Sequence, residues 1–218
     1  MIKPYFEAEN GRLYCGDCLE ILPELEIVDL ILTDPPYGIE DKISKGGGSH
    51  TKSSVKFHQR YSETNQTLDQ PISDRHFDII NISSKNQIIF GGNYYALQPC
   101  RGFIVWDKPE MRIPTMSDCE YAWTSFDRPA KIFRVSRGPE IRAHPTQKPV
   151  GLFVQILKKY AKQNQTILDC FAGSGTTALA CERLPEMGLK WTLIEKEERY
   201  CEIAAKRIQH ETQQLKLF

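Results

Sequence analysis

The chain has 218 residues, of which 40% are hydrophobic and 26% are charged, and its formal net charge is zero. This length suits one domain with a sizeable core, and the composition is that of a soluble globular protein. No run of about eighteen apolar residues occurs, which excludes a membrane-spanning helix. The polar start of the chain predicts neither a signal peptide nor a transit peptide.

Seven cysteines are scattered through apolar segments. An odd number in this arrangement predicts a reduced, cytoplasmic protein rather than a disulfide scaffold. Cys15 and Cys18 form one C-x-x-C pair, but a structural zinc site needs two more ligands and the sequence has no second pair. We therefore predict no metal site.

The neutral net charge hides two basic segments. Residues 42–60 carry five basic residues and no acid, and residues 128–148 carry six basic residues against one acid. Two such segments on one face would attract the phosphates of a nucleic acid. From the charge pattern alone, two solvated loops are an equally good interpretation.

Strands and helices alternate along the chain. Short apolar runs predict buried strands at 28–33, 87–90, 102–106, 166–171 and 190–195. Helical periodicity predicts helices at 19–25, 150–160, 176–184 and 200–208. This order predicts an α/β fold of Rossmann-like type, with a mostly parallel twisted sheet and helices on both faces. Ligands of such sheets bind beyond the carboxyl ends of the strands.

A glycine-rich turn, Asp-Cys-Phe-Ala-Gly-Ser-Gly-Thr-Thr at residues 169–177, follows a predicted strand and opens a predicted helix. Closely spaced glycines let the backbone approach a ligand, and the helix N-terminus offers free N–H groups. Glu195 ends the next predicted strand, where a carboxylate can accept hydrogen bonds from a ribose. Ala178 replaces the third glycine of the dinucleotide fingerprint, which favours an adenosyl ligand without pyrophosphate over NAD.

A second motif, Asp34-Pro35-Pro36-Tyr37, follows the buried strand predicted at 28–33. The prolines lack N–H donors and stiffen the backbone, so that nearby carbonyl oxygens can accept hydrogen bonds from a ligand. Asp34 adds a carboxylate acceptor, and Tyr37 adds a ring for stacking. Acceptors beside a stacking face suit a planar, amino-bearing base that has been flipped out of its helix.

With these two motifs, the chain resembles the DNA amino-methyltransferases (N6-adenine and N4-cytosine) of the circularly permuted beta class. In that class the Asp-Pro-Pro-Tyr motif precedes the Phe-x-Gly-x-Gly motif, as residues 34–37 precede residues 171–175 here. The resemblance covers nearly the whole chain. Further segments that resemble family motifs lie at 13–19, 90–93, 106–108 and 144–149.

The resemblance implies S-adenosylmethionine as the cofactor. Phe171, Gly173 and Gly175 of the glycine turn would line the cofactor site. The helix that follows the turn would begin at Thr176, which we also predict to bind the cofactor. The acids of the predicted cofactor site are Asp17 at the adenine amino group, Asp169 near the amino-acid part and Glu195 at the ribose. Thr146 and Lys148 would help to hold the cofactor carboxylate.

The resemblance also implies methyl transfer to an exocyclic amino group, N6 of adenine, by direct displacement. Asp34 and a carbonyl oxygen of Pro35 or Pro36 would accept hydrogen bonds from the amino group and orient its lone pair. Tyr37 would stack on the flipped base. Positioning and electrostatics would dominate the rate, and no covalent enzyme intermediate is needed.

Double-stranded DNA is the partner that the resemblance implies, and a homodimer is left open. We predict one methyltransferase domain over residues 1–218, with a mobile loop at 38–62 and a small DNA-recognition segment at 109–143 embedded in it. The predicted DNA-binding residues are Lys52, Lys56, Arg134, Arg137 and Arg142. For each arginine alone, a phosphate contact is favoured over reading of a base.

Other functions stay open. N4-cytosine methylation uses the same chemistry, but that branch more often has Ser in the place of Asp34. RNA and protein-glutamine methyltransferases usually place the glycine motif first and often carry Asn before the two prolines. Cys100 follows a proline, as the nucleophile of cytosine-C5 enzymes does, but the Asp-Pro-Pro-Tyr motif takes that place here. A binding module with a decayed site is disfavoured because every expected acid and glycine is present.

Overall fold

The computed structural model describes residues 2–38, 71–109, 117–136 and 147–215. Within these ranges nine strands form one sheet. In chain order they are β1 (Phe6–Ala8), β2 (Gly11–Cys15), β3 (Val28–Thr33), β4 (Ser84–Phe90), β5 (Phe103–Asp107), β6 (Cys119–Thr124), β7 (Lys131–Arg134), β8 (Thr166–Asp169) and β9 (Lys190–Glu195).

The sheet is mostly parallel. Its strand order is β1-β2-β9-β8-β3-β4-β6-β5-β7. Antiparallel pairing joins β1 to β2 and joins β6 to both β4 and β5, while every other neighbouring pair is parallel. Among the described strands, β1 and β6 therefore run against the rest, and the carboxyl ends of the other strands share one edge, called here the carboxyl edge.

The helices of the described residues are α1 (Cys18–Ile21), α2 (Asp74–Ile82), α3 (Val150–Tyr160), α4 (Thr176–Glu182) and α5 (Glu198–Leu215). Asp17 begins α1, because its carboxylate accepts a hydrogen bond from the Leu19 amide at 2.9 Å. Apolar residues at three- and four-residue steps give α3 a buried face that includes Phe153 and Leu157.

The core has two parts because successive strand residues point to opposite faces of the sheet. Leu30 and Leu32 of β3 pack in a cluster with α3, α4 and α5, whereas Ile31 packs in a second cluster with α1 and α2. Helices therefore cover both faces. The predicted Rossmann-like α/β class is confirmed, and all five predicted strands and all four predicted helices are present.

Within the described residues, the sequence patterns missed four strands and one helix: β1, β2, β6, β7 and α2. The cause is incomplete burial. In β6 only Ala122 and Thr124 are buried, β7 has no fully buried residue, and α2 buries only Ile80. None of these segments has the continuous apolar run on which strand prediction depends.

The two embedded segments differ in how much of them the structure describes. Residues 117–136 of the segment 109–143 contain β6 and β7, so this part is built into the sheet rather than standing apart from it. Of the predicted loop 38–62, only Gly38 is among the described residues. In the described part of the chain, no helix is both long and apolar enough to cross a bilayer.

Candidate active site at the carboxyl edge

Parallel pairing brings both sequence motifs to the same edge. β3 ends at Thr33, directly before Asp34, and β8 ends at Asp169, directly before the glycine turn. β3 and β8 are hydrogen-bonded neighbours. The motifs are therefore side by side, and the Thr33 hydroxyl donates to the Asp169 carboxylate at 2.7 Å across 136 residues of sequence.

The Asp34 carboxylate is held by two side chains. The Tyr37 hydroxyl donates to its Oδ1, and Lys148 Nζ lies 2.5 Å from its Oδ2. Burial raises the pKa of the Asp34 carboxyl, and the Lys148 ammonium opposes that rise. The result is a fixed, largely buried carboxylate at the point where β3 ends, which is a strong hydrogen-bond acceptor.

Lys148 belongs to a buried row of alternating charges, called here the charge row: Asp34, Lys148, Glu120 and Lys108. Lys148 Nζ lies 3.0 Å from Glu120 Oε2, and Lys108 Nζ lies 2.6 Å from Glu120 Oε1. Burial works to raise the pKa of Glu120, but the two ammonium groups lower it to about 2. Burial works to lower the pKa of Lys148, but its two carboxylate neighbours raise it overall. Lys148 is therefore held as a cation.

Sequence reasoning missed Glu120 and Lys108 as site residues. Glu120 lies near the start of β6, and because β6 runs against its neighbours, its start lies at the carboxyl edge. Lys108 directly follows β5, which ends at that edge. The resemblance assigned Lys148 to the cofactor carboxylate, whereas in the structure its ammonium contacts Asp34 and Glu120.

The Asp169 side chain connects the two motifs by hydrogen bonds. Its carboxylate accepts hydrogen bonds from the Thr33 hydroxyl at 2.7 Å, the Thr177 hydroxyl at 2.5 Å and the Phe171 amide at 3.1 Å. Burial raises the pKa of this carboxyl to about 6, against the lowering effect of these donors. The Asp169 side chain thus joins the end of β3 to the glycine turn and to α4.

The glycine turn is tied to β9 and α5. Gly173 donates its amide to Glu195 Oε2 at 2.7 Å, and Arg207 Nη1 donates to the Ser174 carbonyl at 2.6 Å. Burial raises the pKa of Glu195. Gly175 has φ of +82°, a left-handed conformation that favours glycine. The turn therefore has a fixed shape with its backbone at the carboxyl edge.

Three other residues were predicted to bind the cofactor: Thr176, Phe171 and Thr146. Thr176 is buried and its hydroxyl donates to the Lys148 carbonyl at 3.5 Å. The Phe171 ring lies 6.1 Å from the His76 ring. Thr146 lies outside the described residues.

Asp17 lies at the carboxyl edge beyond β2, next to β9. Besides capping α1, it accepts a hydrogen bond from Lys196 at 3.0 Å. Burial works to raise its pKa, but the Leu19 amide and Lys196 lower it overall. Donor atoms of Asp17, Cys18 and His76 lie within 4.8 Å of one another. Burial raises the pKa of the Cys18 thiol to about 12.

The Tyr37 ring is enclosed by aromatic and backbone groups. It stacks on Tyr94, with ring centroids 4.9 Å apart, and Tyr94 is 48% exposed. Gly91 has φ of +67°, and a Cβ added there would lie 2.1 Å from the Tyr37 ring. The Tyr95 hydroxyl donates to the Pro36 carbonyl at 2.6 Å. The stacking residue of the motif is thus set in a defined position.

Of the predicted DNA-binding residues, Arg134 is among those described. It lies at the end of β7 with 74% of its side chain exposed, and its Nε is 2.9 Å from Asp107 Oδ2. The other four, Lys52, Lys56, Arg137 and Arg142, lie outside the described residues.

A mostly parallel sheet with a fixed Asp-Pro-Pro-Tyr acceptor site beside a glycine turn defines a Rossmann-like amino-methyltransferase. A family model described as DNA methylase matches residues 104–206. The type II methyltransferase M2.DpnII of Streptococcus pneumoniae is 41% identical, over 98% of this chain and 95% of that protein. M2.MboI of Moraxella bovis is 26% identical, over 99% and 94% of the two chains. The chain therefore belongs to the DNA methylase family, as predicted from its motifs.

Solved structures show the same fold. The PvuII DNA methyltransferase, named as cytosine-N4-specific, aligns with a TM-score of 0.63 at 17% identity over 97% of this chain and 94% of that one. M1.HpyAVI, solved with S-adenosylmethionine, aligns with a TM-score of 0.57 at 23% identity over 91% and 98%.

The family assignment confirms two further predictions: S-adenosylmethionine is the cofactor and DNA is the partner. The choice of N6 of adenine, the double-stranded form of the DNA, the homodimer and the cytoplasmic location stay predictions.

Proposed function

We propose that this protein transfers a methyl group from S-adenosylmethionine to N6 of adenine in double-stranded DNA. The observation that carries the proposal is the Asp34 carboxylate, which Tyr37 and Lys148 fix at the end of β3. A carboxylate accepts a hydrogen bond from an exocyclic amino group, and an adjacent aromatic ring stacks on the base that carries it. Asp rather than Ser at this position favours adenine over cytosine.

The second acceptor for the amino group is the Pro35 carbonyl. The Pro36 carbonyl already accepts a hydrogen bond from Tyr95. Two acceptors, one on a side chain and one on the backbone, hold both amino hydrogens and point the nitrogen lone pair at the methyl donor. Holding the amino group in this way raises the reaction rate, because the reacting atoms are already oriented and the charged group beside them is already in place.

The cofactor supplies a methyl group on a positively charged sulfur. With the cofactor bound, the amino nitrogen would form a bond to the methyl carbon as the carbon–sulfur bond breaks, and the sulfur would leave as a neutral thioether. The nitrogen would become positively charged and would then lose one proton to water. Asp34, at hydrogen-bond distance from this nitrogen, stabilises the positive charge as it develops.

The carboxyl edge fits an adenosyl cofactor. Glu195 and Asp17 stand at the ends of the adjacent parallel strands β9 and β2, where a ribose and an adenine amino group find carboxylate acceptors. Gly173 and Gly175 bring backbone rather than side chains to the neighbouring edge. We assign the ribose to Glu195 and the adenine to Asp17, which places the amino-acid part near Asp169.

The direct test is methyl transfer from labelled S-adenosylmethionine to unmethylated DNA, followed by digestion and identification of the labelled nucleoside. N6-methyladenine in double-stranded DNA is the expected product, and mapping the modified sites would give the recognition sequence. Label on RNA or protein with none on DNA would overturn the proposal.

A second candidate is N4-cytosine methylation. It is favoured by the structural similarity to an enzyme that is itself named as cytosine-N4-specific. The two amino groups are chemically alike, and the same acceptors would serve both. N4-methylcytosine in the same assay would keep the fold and the mechanism and would replace adenine as the target.

A further inference from the structure

Three largely buried charges lie beside the Asp-Pro-Pro-Tyr motif, and the mechanism above uses only the one that contacts Asp34. They are the Lys148 and Lys108 ammonium groups, whose side chains are 6% and 4% exposed, and the Glu120 carboxylate between them. Burying charges is costly even when they are paired, and apolar replacements of such pairs are often neutral or stabilising. A buried row of this kind is therefore a poor device for stability and needs another explanation.

The geometry of the row connects it to the reacting group. Lys148 Nζ is shared between two carboxylates, at 2.5 Å from Asp34 and 3.0 Å from Glu120. Lys108 holds the far oxygen of Glu120 at 2.6 Å. Each group thus fixes the next, from Lys108 at the end of β5 to Asp34 at the end of β3.

We propose that Glu120 is a positioning residue for methyl transfer, which acts by fixing the Lys148 ammonium against the Asp34 carboxylate. This inference rests on the function proposed for Asp34. It also gives Lys148 a part in the base-binding site, through Asp34, in place of the cofactor carboxylate that the family resemblance assigned to it. Lys108 serves the same purpose one step further away, since it orients Glu120.

The charge of the row matters as well as its geometry. Two carboxylates and two ammonium groups sum to zero beside a nitrogen that becomes positively charged. With Glu120 replaced by Gln, the row carries one net positive charge, which repels the developing charge on the nitrogen. The same substitution removes one of the two carboxylates that hold Lys148. Both effects slow the chemical step and leave the adenosyl end of the site untouched.

The test compares Glu120→Gln with Glu182→Gln. Glu182 is also a buried glutamate, but it bonds to Trp191 and Asn10 rather than to the charge row. We expect Glu120→Gln to lower kcat about 100-fold, the scale seen when a reacting group is misplaced, with unchanged KM for DNA and unchanged Kd for the cofactor. Glu182→Gln should leave kcat unchanged.

The pH profile separates an electrostatic role from a structural one. The charged and titratable groups that face Asp34 are Lys148, Glu120, Tyr37 and Asp169. Removing the Glu120 charge should move the acidic limb of the kcat profile to lower pH, because its carboxylate favours protonation of Asp34. Removing the ammonium with Lys148→Met should move that limb to higher pH. A general loss of packing would not shift the two variants in opposite directions.

Each outcome decides the matter. A Glu120→Gln enzyme with wild-type kcat and an unmoved pH profile would overturn the inference, as would a loss expressed only in cofactor Kd. If Glu120→Gln does not fold, Glu120→Asp is the second variant. Its shorter side chain keeps the carboxylate but moves it away from Lys148, so it must lower kcat without changing the Kd for the cofactor. A wild-type enzyme that methylates no DNA overturns the proposed function and this inference with it. A wild-type enzyme that methylates DNA while Glu120→Gln keeps its rate overturns the inference alone.

Discussion

Asp34 is the residue on which the proposed chemistry depends most directly. Its carboxylate lies between Tyr37 and Lys148 at the base-binding motif, away from Glu195 and Asp17. Asp34→Ala should therefore lower kcat by about 100-fold or more, the cost of removing a preorganised electrostatic group, and should leave cofactor binding intact. Single-turnover methyl transfer and calorimetric cofactor titration would measure the two effects.

The matched control for that variant is Asp127→Ala, since Asp127 is 83% exposed and pairs with Arg101 at the surface. It should behave as wild type. Near-normal turnover of Asp34→Ala would show that the assigned role of Asp34 is wrong.

Asp169 gives a prediction about pH and stability. Its pKa rises from 3.8 to about 6 on burial, so the folded protein keeps this proton at pH values where the unfolded chain has lost it. Stability from this group is complete below about pH 4 and is lost as the pH rises through about 6. A rise in pKa of this size corresponds to about 3 kcal/mol of folding free energy, which the protein loses when the Asp169 carboxyl ionises.

Asp169→Asn does not titrate and should not show this loss. Urea unfolding at several pH values should give a free energy difference, variant minus wild type, that increases from pH 4 to pH 7 and is flat above. A constant difference across that range would mean that the carboxyl of Asp169 titrates normally in the folded state.

At the scale of elements, the loop after β4 positions the stacking ring. Gly91 holds φ of +67° and has no room for a Cβ, which would meet the Tyr37 ring at 2.1 Å. Gly91→Ala should lower stability by about 1–2 kcal/mol from backbone strain alone and should displace Tyr37, which lowers kcat with DNA as the substrate. Chemical denaturation and steady-state kinetics would measure both.

Gly151 provides the control for Gly91→Ala. It lies in α3, and an added Cβ would be 3.9 Å from Val135, an ordinary contact. Gly151→Ala should stabilise the protein by about 0.5–1 kcal/mol because alanine is favoured over glycine inside a helix, with activity unchanged. Equal losses in both variants would argue against a special role for Gly91.

Elements with a strong apolar signal were predictable, and half-buried ones were not. The run at 28–33 is buried at five of six positions, and it was predicted as β3 with its observed bounds. β6 shows no such run, since only Ala122 and Thr124 of its six residues are buried. Its pairing with β4 and β5 was decided by contacts distant in sequence, which period-2 patterns do not report.

For the whole molecule, the distribution of charge predicts how DNA binds. The chain has no net charge, so attraction to phosphate must come from its basic segments. Charge reversal at Lys52, Lys56, Arg134 and Arg137 should weaken DNA binding and flatten its dependence on salt. Each lost phosphate contact lowers the slope of log K against log salt by about 0.9. Fluorescence anisotropy at several salt concentrations would measure this slope.

The matching control reverses Lys85 and Lys158, which are 67% and 58% exposed. Lys85 is near the start of β4 and Lys158 is in the last turn of α3, at the edge of the sheet opposite the active site. This double variant should keep the wild-type slope. An unchanged slope in the four-residue variant would remove both basic segments from the DNA surface.

The sequence by itself determined the family, the parallel α/β class and the two motifs of the site, because each depends on neighbouring residues: apolar runs, glycine spacing and Asp-Pro-Pro-Tyr at a strand end. Only the tertiary structure decided the partners of those motifs. Glu120 has no local signal, and Lys108 lies in a segment that resembles a family motif but that gave it no role. Glu120 meets Lys148 because the antiparallel strand β6 lies beside β4, which brings its start to the carboxyl edge. A buried ammonium such as that of Lys148 is stable only when carboxylates pair with it.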